Sequence, residues 1–185
     1  SIRNKTINAR SESLLEKPAF RKAGRYGRCL VVVDGFFEHH HKGGKTFPYK
    51  VEHQSEQPMV IAGVSDDWTD PQSGEIWRSF AIVTTKAEGL MAEIHNNPKL
   101  PEPRTPLILN EDTQKAWLSD WGAHQKRTLA EIRAEAVQTG LEATPVRRLR
   151  GKEAVGNLPL ALEPYSYPEL EGENPSNDTG QMELF

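Results

Sequence analysis

Arg28-Cys-Leu-Val-Val-Val-Asp-Gly-Phe-Phe-Glu38, followed by Gly43-Gly44 and Phe47-Pro-Tyr-Lys-Val-Glu52, is the stretch on which the fold turns. Its β-branched and aromatic content predicts a strand over Arg28 to Glu38, and the paired glycines predict a hairpin turn into a second strand over Phe47 to Glu52. Met59 to Val64 reads as a third strand, so a meander is expected. Working outward, Pro18 is placed to open a short helix that carries Phe20 and Ala23 and stops near Gly24. Downstream, Ile76 to Thr84 and Leu107 to Leu109 read as strands and Ala87 to His95 as a helix. Asn110 is a candidate N-cap for a helix carrying Trp117, Leu118 and Trp121, and Leu129, Ile132 and Ala136 mark another helix closed by Gly140. Antiparallel strands with interspersed helices give an α+β fold, mostly antiparallel sheet, in a single domain.

Charge and composition narrow the function classes. The 185 residues are 36% hydrophobic and 26% charged, the balance of a globular chain long enough to bury a core. The longest apolar run, Cys29 to Val33, is far short of the ~20 residues a membrane-spanning helix needs, so no membrane partner is expected. One cysteine, Cys29, rules out an internal disulfide and a multi-thiolate zinc site, in keeping with a reducing, cytoplasmic compartment. Within a strand it reads as an inert buried thiol. The net charge of -3 conceals a segregation of charge. Ser1 to Arg28 hold eight Lys/Arg against two Glu, and Arg147, Arg148, Arg150 and Lys152 form a second basic cluster. Ala161 to Phe185 hold six acids and no Lys or Arg. The two basic stretches could together make a phosphate-binding surface, whereas the bland reading is a solvated face with an acidic tail.

Three features invite chemical readings. His39-His40-His41 offers imidazoles, but neighbours on a strand point to opposite faces, so at most His39 and His41 could share a metal and none is predicted. Gly43-Gly44-Lys45 lacks the spacing of a phosphate-binding loop and reads as a turn. More telling are four segments that each end an apolar or extended run with polar side chains. They are Ile7-Asn-Ala-Arg10, Asp34-Gly-Phe-Phe-Glu38, Ala81-Ile-Val-Thr-Thr85 and Glu93-Ile-His95. Strands and helices deliver side chains into clefts in this way, although singly each has a structural explanation, such as His95 capping a helix.

Ile7-Asn-Ala-Arg-Ser-Glu12, Lys17-Pro-Ala-Phe-Arg21, Arg28-Cys-Leu30 running into Asp34-Gly-Phe-Phe-Glu38, Phe80-Ala-Ile-Val-Thr-Thr85, Ile94-His95, Arg104-Thr-Pro-Leu-Ile-Leu109 and Ala154-Val-Gly-Asn157 occur in one order. Together they closely resemble the SRAP family of SOS response-associated peptidases and abasic-site-processing proteins, over nearly all of residues 2 to 160. The resemblance implies a β-rich core and a DNA-repair activity without metal or organic cofactor. It implies binding to single-stranded DNA at an abasic site and a covalent adduct through an N-terminal cysteine exposed by Met removal. The amine would condense with the ring-opened aldehyde, and the thiolate would close a thiazolidine. By motif, Asn8 would orient the N-terminal residue or the opened sugar. Glu38 would transfer protons, His95 would act as acid and base on the sugar, and Arg10, Thr84 and Arg104 would contact DNA.

The chain departs from the family pattern in ways that shape the expectation. Residue 1 is Ser1 and no Met-Cys-Gly start precedes Ile7, so residues 1 to 168 are read as roughly the C-terminal two thirds of the domain, with the nucleophile upstream. His39 stands where the family often has Trp, and Asn96 to Pro103 reads as an insertion between His95 and Arg104. Residues 169 to 185 are expected to be a disordered acidic tail. They end in Gln181-Met-Glu-Leu184-Phe185, which resembles the peptides that dock bacterial DNA-processing proteins on the replicative sliding clamp. Location on the bacterial nucleoid would follow. A thiol autopeptidase and a non-catalytic single-stranded-DNA-binding module are the competing readings.

Overall fold

The computed structural model describes residues 6–119 and 128–171. It contains strands β1 (Asn8–Arg10), β2 (Arg28–Val33), β3 (Gly35–Lys42), β4 (Lys45–His53), β5 (Met59–Thr69), β6 (Ile76–Lys86), β7 (Arg104–Pro106) and β8 (Leu141–Pro145). Its helices are α1 (Arg21–Tyr26), α2 (Gly89–Ile94), α3 (Glu111–Leu118) and α4 (Leu129–Ala134). The strands make two sheets, one ordered β1-β6-β5-β2 with β7 also on β6, and one ordered β3-β4-β8. All pairings are antiparallel except β1 with β6.

The predicted strand Arg28 to Glu38 is divided between the sheets. β2 pairs with β5 up to Val33, the chain bends at Asp34, and β3 begins the second sheet with Gly35 opposite Glu52. The expected meander therefore holds only for the β3-β4 hairpin, whose turn is Gly43-Gly44 at φ +56° and +74°. The physical reason lies at Gly35. A Cβ there would stand 2.8 Å from the Val51 carbonyl oxygen, so only glycine lets the crossing chain lie that close to β4.

The other differences have local causes. The helix expected from Pro18 forms at Arg21, because residues 18–20 make turns in which the Phe20 and Arg21 N–H groups donate to Lys17 O. The strand expected at Leu107 to Leu109 is β7, shifted to Arg104–Pro106, and residues 107–109 run on between β5 and β6. There Leu107 N–H donates to Val83 O (2.8 Å), Ala62 N–H to Leu107 O (2.9 Å) and Leu109 N–H to Val60 O (2.8 Å). Gly140, at φ +69°, leads into β8, a strand the sequence reading did not anticipate; α4 ends earlier, at Ala134. Asn110 is the N-cap of α3 as expected, its side chain accepting from Thr113 N–H at 2.9 Å, and Trp121 lies outside the described residues.

Two cores hold these layers. The first packs Ala62, Val64, Ala81 and Val83 of the larger sheet against Leu14, Trp117 and Ile132. Trp117 is fully buried and its indole N–H donates to Cys29 O and Gly63 O at 3.0 and 3.3 Å. The second core lies between the sheets and under α2, from Val51, Met59, Ile61, Met91, Ile108 and Leu141. Among the described residues no helix is long and apolar enough to cross a membrane. Substituting Gly35→Ala should displace the start of β3 and lower stability by about 1–3 kcal/mol, read from the urea midpoint at unchanged m-value. An unshifted midpoint would mean that the crossing has room to spare.

Candidate functional site: a carboxylate–imidazole pair where the sheets meet

Glu38 lies on β3 and His95 is the C-cap residue of α2, and the fold brings them together at the junction of the two sheets. Asn96 and His40 hold that junction. The Asn96 side chain accepts from His41 N–H (2.7 Å) and donates to His41 O (3.0 Å), so its amide replaces a neighbouring strand along the edge of β3. His40 Nδ1 lies 3.0 Å from Glu93 O, fastening the end of α2 to the same edge. Glu38 Oε1 accepts from the His39 N–H at 2.8 Å, which leaves Oε2 directed at His95 Nε2, 3.9 Å away. Both side chains are largely buried, His95 15% and Glu38 22% exposed.

The tautomer of His95 follows from its other nitrogen. Nδ1 accepts the Arg104 backbone N–H at 2.9 Å and so carries no proton. In the neutral ring the proton sits on Nε2, facing the carboxylate. At 3.9 Å the two groups are beyond direct hydrogen-bond length, so neither is satisfied by the other. A carboxylate acceptor and an imidazole N–H directed at one small region are suited to moving protons at a reacting atom placed there.

Arg104 is the second organiser. Its side chain is 9% exposed, and its guanidinium makes a two-pronged pair with Glu12 (3.0 and 2.8 Å). It also donates to Glu102 (3.0 Å), to Thr84 O (2.8 Å) and to Thr84 Oγ1 (3.3 Å). Burial pushes the Glu12 carboxyl up, but the hydrogen bonds from Arg104 and from its own N–H, with the charges of Arg104 and Arg133, bring it below its usual pKa. Arg10 is half-exposed and 3.6 Å from Glu102, opposite Thr84 in the β1-β6 register.

The sequence-derived residues thus divide. Glu38, His95, Arg104 and Thr84 form one connected cluster, and Arg10 joins it through Glu102. Asn8 is on the same exposed face of β1 as Arg10, and the two line an open cleft of about 670 Å³ with Lys17, Pro18 and Phe20; Glu38 and His95 do not line it. Thr84 and Arg104 face inward, bonded to each other, to Ala9 O and to Glu12. Gln181, Leu184 and Phe185 lie outside the described residues, whereas Glu169 is ion-paired with Lys45 at 2.8 Å and Leu170 N–H donates to Tyr167 O. Sequence reasoning passed over Glu12, Glu102 and Asn96, three polar residues whose only signal is their place in the motif strings or the loop beside His95.

Among the described residues no three His, Cys, Asp or Glu are arranged to hold a metal ion. Burial holds the His39 imidazole below its usual pKa, with Glu38 opposing and Arg150 and His41 assisting. Burial likewise pushes the Cys29 thiol up, which disfavours the thiolate and suits an inert strand residue.

A two-sheet, mostly antiparallel α+β fold with a carboxylate–imidazole pair at the sheet junction is the class these observations define. The family model for SOS response associated peptidase (SRAP) matches residues 1–152, and the chain belongs to that family. It is 35% identical over 116 residues to the abasic site processing protein YoqW of Bacillus subtilis, covering 62% of this chain and 48% of that one. It is 30% identical over 179 residues to the abasic site processing protein HMCES of Gallus gallus, covering 85% of this chain and 51% of the relative. The chain therefore spans about half the length of these curated relatives. A crystal structure of a protein from Bacteroides thetaiotaomicron shares the fold at TM-score 0.68 and 31% identity, covering 80% of this chain and 61% of that one.

Nitrogen-15 spectra should show His95 as the Nε2–H tautomer when neutral, with Nδ1 shifted as an acceptor. Finding the Nδ1–H tautomer would remove Arg104 as the group that sets the ring.

Proposed function

We propose that this chain carries the proton-transfer part of an abasic-site-processing protein acting on single-stranded DNA. The observation that carries the reading is the Glu38–His95 pair, its imidazole fixed by the Arg104 N–H, in a chain of the SRAP family. Two of its relatives are named abasic site processing proteins. In this reading His95 Nε2–H donates to the ring oxygen of the abasic sugar as it opens to the aldehyde. Glu38 accepts and returns protons while an N-terminal amine condenses with that aldehyde and water leaves. A cysteine thiol on the same residue then adds to the carbon–nitrogen double bond and closes a thiazolidine. Glu38 also suits removal of an initiator Met, the autopeptidase step that would expose it.

Asn8 and Arg10 take the strand in the cleft beside β1, Asn8 toward the opened sugar or the N-terminal residue and Arg10 on a phosphate. Thr84 and Arg104 contribute by holding β1, β6 and His95 in register rather than through solvent-facing donors. No metal or organic cofactor enters the scheme.

The test uses protein carrying an N-terminal cysteine upstream of Ser1 and a denaturing gel. A denaturation-resistant adduct is expected with an oligonucleotide holding one abasic site and none with the intact sequence. His95→Ala or Glu38→Gln should slow its formation or reversal by roughly 10²-fold or more. Equal adduct with and without the lesion, or no adduct at all, refutes the reading.

Gln181, Leu184 and Phe185 complete the proposal as a docking peptide for the bacterial sliding clamp, which would place the protein on the nucleoid beside newly exposed single strands. The expected boundary at residue 168 moves to about 171, because Glu169 pairs with Lys45 and the Leu170 and Glu171 N–H groups bond back to Tyr167 and Pro168; the residues beyond then serve as the tether. A titration of the tail peptide against the clamp should give micromolar binding that Leu184→Ala with Phe185→Ala abolishes. Absence of binding at about 100 μM peptide, roughly -5 kcal/mol, excludes it.

A further inference from the structure

Arg147, Arg148, Arg150 and Lys152 follow β8, and the structure assigns them different tasks. Arg148 is built into the fold. Its guanidinium donates to Thr46 O (3.2 Å), pairs with Glu153 (3.2 Å) and lies over the Tyr167 ring, 5.7 Å from its centroid. Arg147 lies over Tyr165 at 4.7 Å, and Tyr165 packs edge-on against Tyr167, which packs edge-on against Phe47. Arg150 and Lys152 are exposed, and among the described residues neither has an ion-pair partner. Their loop closes on itself through Val155 N–H to Arg148 O (3.1 Å) and Ala154 N–H to Gly151 O (3.3 Å).

The loop also sits in a particular place. Val146 N–H donates to Pro48 O (3.0 Å), and Pro48 is the register partner of His39, the residue after Glu38. The chain therefore leaves the second sheet at its β8 edge, across β4 from β3, and Arg150 is among the charges that bear on His39. Two unpaired cations and an arginine stacked on a tyrosine that is 38% exposed make a different surface from a scatter of solvated lysines. Guanidinium groups bind phosphate oxygens in pairs, and an arginine-backed aromatic ring offers a stacking face to an unpaired base.

We propose that Arg150, Lys152 and the Arg147–Tyr165 pair form a phosphodiester-binding strip that holds the flanking single strand at the β8 edge of the second sheet, across β4 from Glu38. This rests on the single-stranded-DNA reading above and adds a second anchor on the second sheet, whereas Asn8 and Arg10 are on β1 of the first. The strip is built by residues that touch neither the Glu38–His95 pair nor Arg104, so it contributes to affinity and strand placement rather than to proton transfer.

The experiment is fluorescence anisotropy of the 185-residue chain with a lesion-free labelled oligodeoxynucleotide across a salt series. R150Q/K152Q should lower the slope of log K against log salt by about 1.4, two contacts at about 0.7 each, and weaken low-salt binding at least tenfold. Tyr165→Leu should weaken binding several-fold without changing the slope. Arg10→Gln, measured in parallel, reports the β1 side by a slope change of its own. If the wild-type chain binds and R150Q/K152Q keeps its slope and affinity, the strip is wrong while the single-strand reading stands. A wild-type chain that binds no single strand overturns both. Competition by inorganic pyrophosphate at matched ionic strength, as effective as unlabelled oligonucleotide per phosphate, would mark a general anion site and overturn the strand assignment.

Discussion

A guanidinium that is nine-tenths buried needs its charge answered inside the protein, and Arg104 gathers the site around itself through Nη1 and Nη2, while its buried Nε has no hydrogen-bond partner among the described residues. Glu12 comes from the turn after β1, Glu102 from the loop before β7, and Thr84 from β6. The same residue's backbone N–H fixes His95. One position therefore couples a charge cluster to the tautomer of an imidazole. Moving the guanidinium would strand two carboxylates near each other and release the peptide that orients the ring. The inward face of Arg104 makes it an organiser, and Arg10, paired with Glu102, is the arginine of the network that keeps half its surface in solvent.

Dividing the strands between two sheets creates the place where this happens. If residues 28–38 formed one continuous strand, Glu38 would extend along the edge of the larger sheet, away from α2. The bend at Asp34 and the close approach at Gly35 turn β3 into the second sheet, and the side chains of His40 and Asn96 then draw the end of α2 against it. The segment from Arg104 to Leu109 fills the gap where β5 and β6 part, which holds the Arg104 peptide below His95. Backbone hydrogen bonds fix the scaffold, and side chains that mimic backbone set the last few ångströms.

Much of this was legible in the sequence because strand, turn and cap signals are local. The Gly43-Gly44 turn, the Asn110 cap and the strands around Cys29, Phe47, Met59 and Ile82 needed only their own neighbours. Four site residues were reachable because each closes an apolar run with a polar side chain: Asn8, Glu38, Thr84 and His95. What was not legible depends on distant partners. The sheet change at Gly35 is decided by the Val51 carbonyl, β8 by pairing with Tyr49 to His53, and the inward turn of Arg104 by Glu12, 92 residues away. A basic residue in a motif announces a charge but not the direction in which it points.

Charge segregation gains meaning from the same distinction between engaged and free groups. Of the first basic stretch, Arg28 is consumed by carbonyls at the ends of α1 and α3, and Lys22 by Asp66, while Arg10 keeps half its surface in solvent. Of the second, Arg148 is locked under Tyr167, while Arg150 and Lys152 stand free among the described residues. The total of -3 therefore says little about partners, because attraction to a polyanion depends on cations not already neutralised at short range. Counted this way, the free positive charge is that of Arg150 and Lys152 in the loop after β8, and Arg10 on β1 shares its charge with Glu102 while keeping half its surface in solvent, so a sum over the sequence conceals where a polyanion could be met.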